Sequence, residues 1–207
     1  MYTLYGKAGW GSVIVEAQLE LAGLPYRIEE LDPLESAADR DRLAKFNPLA
    51  QLPTLILPDG QVMTESAAIT LHIGDRAPKA GLVPPAGDRT RDQFLRWLVF
   101  IVANIYPMFT VGDDPSRFVA DSIAQKELRA STESYKSRSW QIVESSIVPQ
   151  PWFLGTRFSA LDIFAATITR WRPRREWYKA NTPKLHGVAL AADAEPRLAK
   201  VWKRNFP

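Results

Sequence analysis

The stretch Asn47-Pro48-Leu49-Ala50-Gln51-Leu52-Pro53-Thr54-Leu55, with Thr64-Glu65-Ser66 just beyond it, decides how this sequence is read. Pro53 stands at the start of the apolar run Thr54-Leu55-Ile56-Leu57, which has the makings of a strand. A proline there withdraws a ladder donor and can adopt the cis bond that turns the preceding backbone outward. Leu52 then offers its N–H and C=O as a short edge on which an extended, peptide-like ligand can pair. A strand merely entered through a proline turn would carry the same residues. Pro58-Asp59-Gly60 separates this run from Gln61-Val62-Met63-Thr64 and reads as a hairpin turn. Ser66 then opens a helix to about Asp75, with Ala68, Ile69, Leu71 and Ile73 apolar. Its first turn has unpaired amides and the positive end of the dipole, which attract carboxylates. Ser66 can bind a carboxylate through hydroxyl and amide while Glu65 holds an ammonium, so the pair matches an α-amino-acid end. An ordinary helix start accounts for these two residues equally well.

Working outward toward the N-terminus, Tyr2–Tyr5 forms a short apolar strand pattern ended by Gly6 and the loop Lys7-Ala8-Gly9-Trp10-Gly11. Ser12 precedes Val13, Ile14, Ala17 and Leu21 at helical spacing, with Glu16 and Glu20 expected on the opposite, solvated face. Gly23 and Pro25 stop that helix. Tyr26–Leu31 reads as a second strand and Ser36–Phe46 as a surface helix. The order strand-helix-strand, helix, hairpin, helix fits a mixed sheet, its first strands parallel and the hairpin antiparallel.

Toward the C-terminus, residues 77–88 carry Pro78, Gly81, Pro84, Pro85 and Gly87 and read as a linker. Beyond it no strand pattern appears. Phe94, Trp97, Leu98, Ile101, Ile105 and Met108 follow helical spacing, and Pro107 is expected to kink or end that helix. Further helices are expected over about 116–147, 159–172, 183–193 and 196–205.

Composition narrows the chemistry. Of 207 residues, 46% are hydrophobic and 24% charged, the balance of a soluble globular chain. Net charge is +3, too small and too dispersed to indicate a nucleic-acid partner. With no cysteine, the chain has no disulfide, thiolate metal site or thiol nucleophile, so any thiol chemistry needs a bound small molecule. His72 and His186 are too few for a histidine metal site, and no metal is expected. The N-terminus lacks a secretory pattern. The apolar stretch Trp97–Val111, interrupted by Asn104 and Pro107, is too short for a membrane span. A cytoplasmic protein without membrane contact is the expectation.

Taken together, residues 47–55 and Glu65-Ser66 resemble the glutathione site of the glutathione S-transferase superfamily, in bacterial serine-type or beta/theta-like form. A second signature lies more than 100 residues away. Ser159-Ala160-Leu161-Asp162, after Phe158, resembles the family's capping box at the start of its central buried helix, and the residue types explain it physically. The resemblance implies a thioredoxin-like domain with a four-stranded mixed sheet (1–77), a linker (78–88) and an all-helical domain (89–207). It implies glutathione as co-substrate, with Leu52 and Pro53 at its cysteinyl part, Glu65 and Ser66 at its γ-glutamyl end and Gln51 near the glycyl end.

By the same resemblance, Ser12 occupies the position of a serine that activates the sulfur, with Tyr5 as the alternative. A hydroxyl donor at a helix N-terminus favours thiolate over thiol. Gly11 stands where beta-like relatives carry cysteine, so protein mixed-disulfide chemistry is disfavoured. Trp10, Tyr106 and Phe109 are the expected walls of an apolar electrophile pocket, although aromatics serve equally as core. The basic run Arg170-Trp171-Arg172-Pro173-Arg174-Arg175 is read as a solvated helix end rather than a nucleic-acid site. The implied activity is transfer of the glutathione thiolate to an electrophilic, mainly apolar molecule by a homodimer. A non-catalytic ligand carrier on the same fold is the alternative.

Overall fold

In a computed structural model describing residues 1–207, Tyr2–Gly6 forms strand β1, buried along its whole length. It is followed by α1 (Ser12–Ala22), β2 (Tyr26–Glu30), α2 (Ala37–Ala44), β3 (Thr54–Ile56), β4 (Val62–Met63) and α3 (Ser66–Arg76). The sheet order is β2-β1-β3-β4. β1 and β2 are parallel, with Leu4 opposite Ile28; β1 and β3 are antiparallel, with Leu4 opposite Leu55; β3 and β4 are antiparallel. The hairpin closes through Gly60 N–H to Leu57 O at 2.9 Å, with Gly60 at φ 90°, a conformation glycine takes at no steric cost.

α1 is the spine. Gly23 in the left-handed region ends it, donating to Glu20 O, while Leu24 N–H reaches Leu19 O. Val13, Ile14, Val15, Ala17 and Leu19 are all fully buried, so the helix is enclosed rather than amphipathic. The expected solvated face is therefore corrected at Glu16. It is buried and accepts from Arg204 and from Asn205 Nδ2, each at 2.9 Å. These partners lie nearly 190 residues away, beyond the reach of local periodicity.

After a 3₁₀ turn at Pro78–Ala80 the chain is helical. α4 (Arg91–Phe100) passes through a π-helical segment (Ile101–Ile105) into α5 (Tyr106–Asp113). Pro107 thus neither ends nor breaks the helix. It lacks the N–H of an α-turn, and the preceding turn widens so that Tyr106 N–H bonds Ile101 O, five residues back. The resulting 23-residue helix is long and apolar enough to cross a membrane, which corrects the expectation from Trp97–Val111 alone. Its residues Phe94, Trp97, Leu98, Ile101, Ile105 and Phe109 are spent on the protein core.

α6 (Ser122–Ser146) starts at Asp121, whose carboxylate caps Ile123 and Ala124. α7 (Ala160–Ile168) is wholly buried behind its capping box. Asp162 accepts from Ser159 N–H and Phe153 N–H, both at 2.7 Å, and Ala160 N–H reaches Leu82 O, fastening the helix to the connecting segment. α8 (Arg175–Asn181) was not expected; α9 (Pro183–Asp193) and α10 (Ala199–Asn205) follow. One continuous core runs from Tyr2 to Trp202, joining the sheet half to the helices across α1 and α7.

Candidate active-site cleft

A cleft of about 710 Å³ lies between the sheet half and α4–α5. One wall is the loop before β3, and Asn47 organises it. Buried Asn47 donates from Nδ2 to Gln51 O (3.0 Å) and Thr54 Oγ1 (3.2 Å), and its Oδ1 accepts from Leu49 N–H (3.1 Å). Thr54 Oγ1 also donates to Gln51 O, and Ala50 sits at φ 50°. The Leu52–Pro53 bond is cis. Leu52 N–H and C=O enter no backbone hydrogen bond within the chain, leaving a short open edge in the cleft. The sequence alone does not announce this role of Asn47; its one local signal is a small amide before Pro48.

The mouth of α3 forms the adjoining wall, where Thr64, Glu65, Ser66 and Ala67 line the cleft. No side chain caps this helix. Glu65, exposed, lies at φ 64° and ψ 109°, a region that costs a non-glycine residue about 1–3 kcal/mol and concentrates at binding sites. Gln51, Leu52, Pro53, Glu65 and Ser66 therefore share one cleft.

Ser12 does not join them. Its buried hydroxyl donates to Lys7 O at 3.1 Å and accepts from Lys7 N–H at 3.0 Å, closing the turn after β1. Gly6 allows this approach, since a methyl group there would lie 2.6 Å from Ser12 Oγ. Ser12 is also not the cap of α1; Gly11 holds that place. The expectation that the Ser12 hydroxyl faces the cleft is thus corrected. Tyr5 does not line the cleft either; it is buried in β1 and stacked on Phe46.

Gly9, Trp10 and Gly11 line the cleft instead. Their loop is pinned from the helical half, because Trp171 Nε1–H donates to Gly9 O at 2.7 Å and Asn205 Oδ1 accepts from Gly9 N–H at 3.4 Å. The Lys7 ammonium sits 4.6 Å over the Trp10 ring and pairs with Asp32.

The facing wall is aromatic. Tyr106 and Phe109 meet Trp171 edge-on, with centroids 5.5 and 5.1 Å away. Behind Phe109 lies Lys136, almost fully buried, its ammonium 3.8 Å from the ring centroid and bonded to Glu133 at 2.9 Å; burial pushes its pKa down. Burial likewise raises the Tyr106 phenol well above its usual range, and its hydroxyl has no partner in the chain. Asp113, Asp114, Arg117 and Arg172 form a charged end, with Arg172 paired to Asp113.

Two arginines of the basic run are tied into the fold. Arg170 and Arg175 share Asp193 at 2.8 and 3.0 Å. Trp171, inside that run, is a cleft residue the sequence reading passed over; a tryptophan amid arginines was the signal. His72 is hydrogen-bonded to Tyr2 at 3.2 Å, away from the cleft.

Comparison with known proteins agrees with this architecture. Residues 13–76 match the family described as glutathione S-transferase, N-terminal domain. The chain is 37% identical over 206 residues to the uncharacterised GST-like protein YncG of Escherichia coli, covering 99% of this chain and 98% of that one. It is 25% identical to glutathione S-transferase GstA of Escherichia coli over 81% of each chain. Among solved structures, a glutathione transferase homologue from Sulfitobacter with bound glutathione superposes with a TM-score of 0.85 at 25% identity, covering 100% and 99% of the two chains. One from Methylococcus capsulatus gives 0.77 at 28% identity, covering 98% of each. With fold, cleft and full-length likeness in agreement, this chain belongs to the glutathione S-transferase superfamily.

Proposed function

We propose that the chain is a glutathione transferase that joins the glutathione thiolate to an electrophilic, mainly apolar small molecule. The observation that carries this reading is the open backbone edge at Leu52 sharing one cleft with the uncapped mouth of α3. The cysteinyl backbone of glutathione pairs with Leu52, its α-carboxylate meets the Ser66 hydroxyl and amide, and Glu65 takes the ammonium. Gln51 lies near the glycyl end. The sulfur then faces Gly11, with Trp10, Tyr106 and Phe109 as the apolar wall for the second substrate. The thiol gives its proton to solvent, and the thiolate forms a bond to carbon as the leaving group departs with the bonding pair. The protein contributes alignment and thiolate stabilisation. A cytoplasmic homodimer, divided into residues 1–77, a linker 78–88 and residues 89–207, belongs to the same reading.

Glutathione titrated into the protein by calorimetry, followed by a screen of electrophiles for loss of free thiol, tests it. Absence of glutathione binding refutes the proposal. A second reading, a non-catalytic carrier, is favoured by the engagement of the Ser12 hydroxyl with Lys7. It predicts binding without thiol loss for every electrophile tried.

A further inference from the structure

Seven buried side-chain polar atoms have no partner within the chain, and the Tyr106 hydroxyl is the one among them on a residue that lines the cleft, which directs attention to a ligand atom. Tyr106 is the residue delivered by the π-helical turn before Pro107. π-segments of this kind recur at functional sites. A methyl group on Gly11 would overlap the Tyr106 oxygen and lie 3.1 Å from its ring carbon Cζ and 3.6 Å from Leu52 O. The phenol, the mouth of α1 and the open edge at Leu52 therefore converge on one spot. Gly11 adopts ordinary helical angles, φ −59° and ψ −22°, so its backbone does not demand glycine. The space above it does.

Resting on the glutathione reading above, we propose that the Tyr106 hydroxyl, brought from the helical half, is the donor that holds the glutathione sulfur as thiolate, and that Gly11 is bare to admit it. Leu52 aligns the cysteinyl part, so the sulfur is the ligand atom beside the phenol. First-turn amides of α1 and its dipole act on the same side. Because burial raises the Tyr106 pKa, the phenol stays protonated and donates throughout the neutral range. The ring is steadied by Trp171, which also fixes Gly9, so donor and receiving loop are held by one side chain. The charged groups around the cleft are Glu65, Asp113, Asp114, Arg117 and Arg172, with Lys7 beside Trp10.

The test compares wild type, Tyr106→Phe and Gly11→Ala, alone and combined, for glutathione affinity by calorimetry and for the bound thiol pKa by ultraviolet thiolate absorbance. Tyr106→Phe should keep its packing, bind protonated glutathione almost as well, and raise the bound thiol pKa by about one to two units. Gly11→Ala should raise that pKa in the wild-type background and add little in Tyr106→Phe, a non-additive pair. A wild type that does not bind glutathione overturns the transferase reading and this one with it. Intact binding with an unchanged thiol pKa in Tyr106→Phe, or equal effects of Gly11→Ala in both backgrounds, overturns this inference alone.

Discussion

Ser12→Ala separates two roles for one hydroxyl. In the structure Ser12 Oγ bonds both the N–H and the C=O of Lys7, at 3.0 and 3.1 Å, and is almost fully buried. The substitution removes both bonds and leaves the Lys7 amide short of a partner. A net bond contributes about 0.5–1.5 kcal/mol, and stranding a part-buried donor adds to the loss, so about 1–3 kcal/mol of stability should disappear. For a chain of this size that lowers the midpoint of thermal unfolding by about 2–4 °C per kcal/mol. Denaturant titration should show a lower midpoint with an unchanged slope. The bound glutathione thiol pKa should not move, because the hydroxyl does not line the cleft. A thiol pKa raised by about one unit in Ser12→Ala, with unaltered stability, would refute this reasoning.

Asn47→Ala removes three hydrogen bonds from the loop before β3 and should weaken glutathione binding by about tenfold or more while leaving α7 intact, as read by calorimetry and hydrogen exchange. Asp162→Ala leaves the buried Phe153 and Ser159 amides unpaired and should cost about 2–4 kcal/mol in denaturant unfolding, more than Ser159→Ala. His72 titrates below its ordinary 6.5, chiefly through burial and then Arg76, with Asp75 and Asp59 opposing. A depressed base confers stability that is whole above that ordinary value and drains as pH falls through the folded-state value. His72→Gln should flatten the stability profile in this acidic window.

What the sequence disclosed was local. Pro53 before a strand, the Pro58-Asp59-Gly60 hairpin and the Ser159–Asp162 box depend on residues within a few positions of one another, and the structure contains each of them. What stayed hidden was set by distant partners. Glu16 reads as solvated until Arg204 and Asn205 arrive. Ser12 reads as a donor to a ligand until the turn at Lys7 folds back on it. The helix α8 was obscured because its first residue, Arg175, pairs with Asp193 of α9, which a charge count sees only as excess basicity. The π-turn ahead of Pro107 escapes periodicity because one residue of slippage is absorbed within a single helix.

Asn205 binds Gly9 and Glu16, and Arg204 reaches both Glu16 and Glu30. The cleft loop at Gly9 is therefore seated by a residue of α10, nearly 200 positions further along the chain. All four strands lie within the first 63 residues, whereas the side chains that hold Gly9 (those of Trp171 and Asn205) come more than 160 residues after it, so the loop is set only when the helical half has joined the sheet. The shape of the cleft waits on α10.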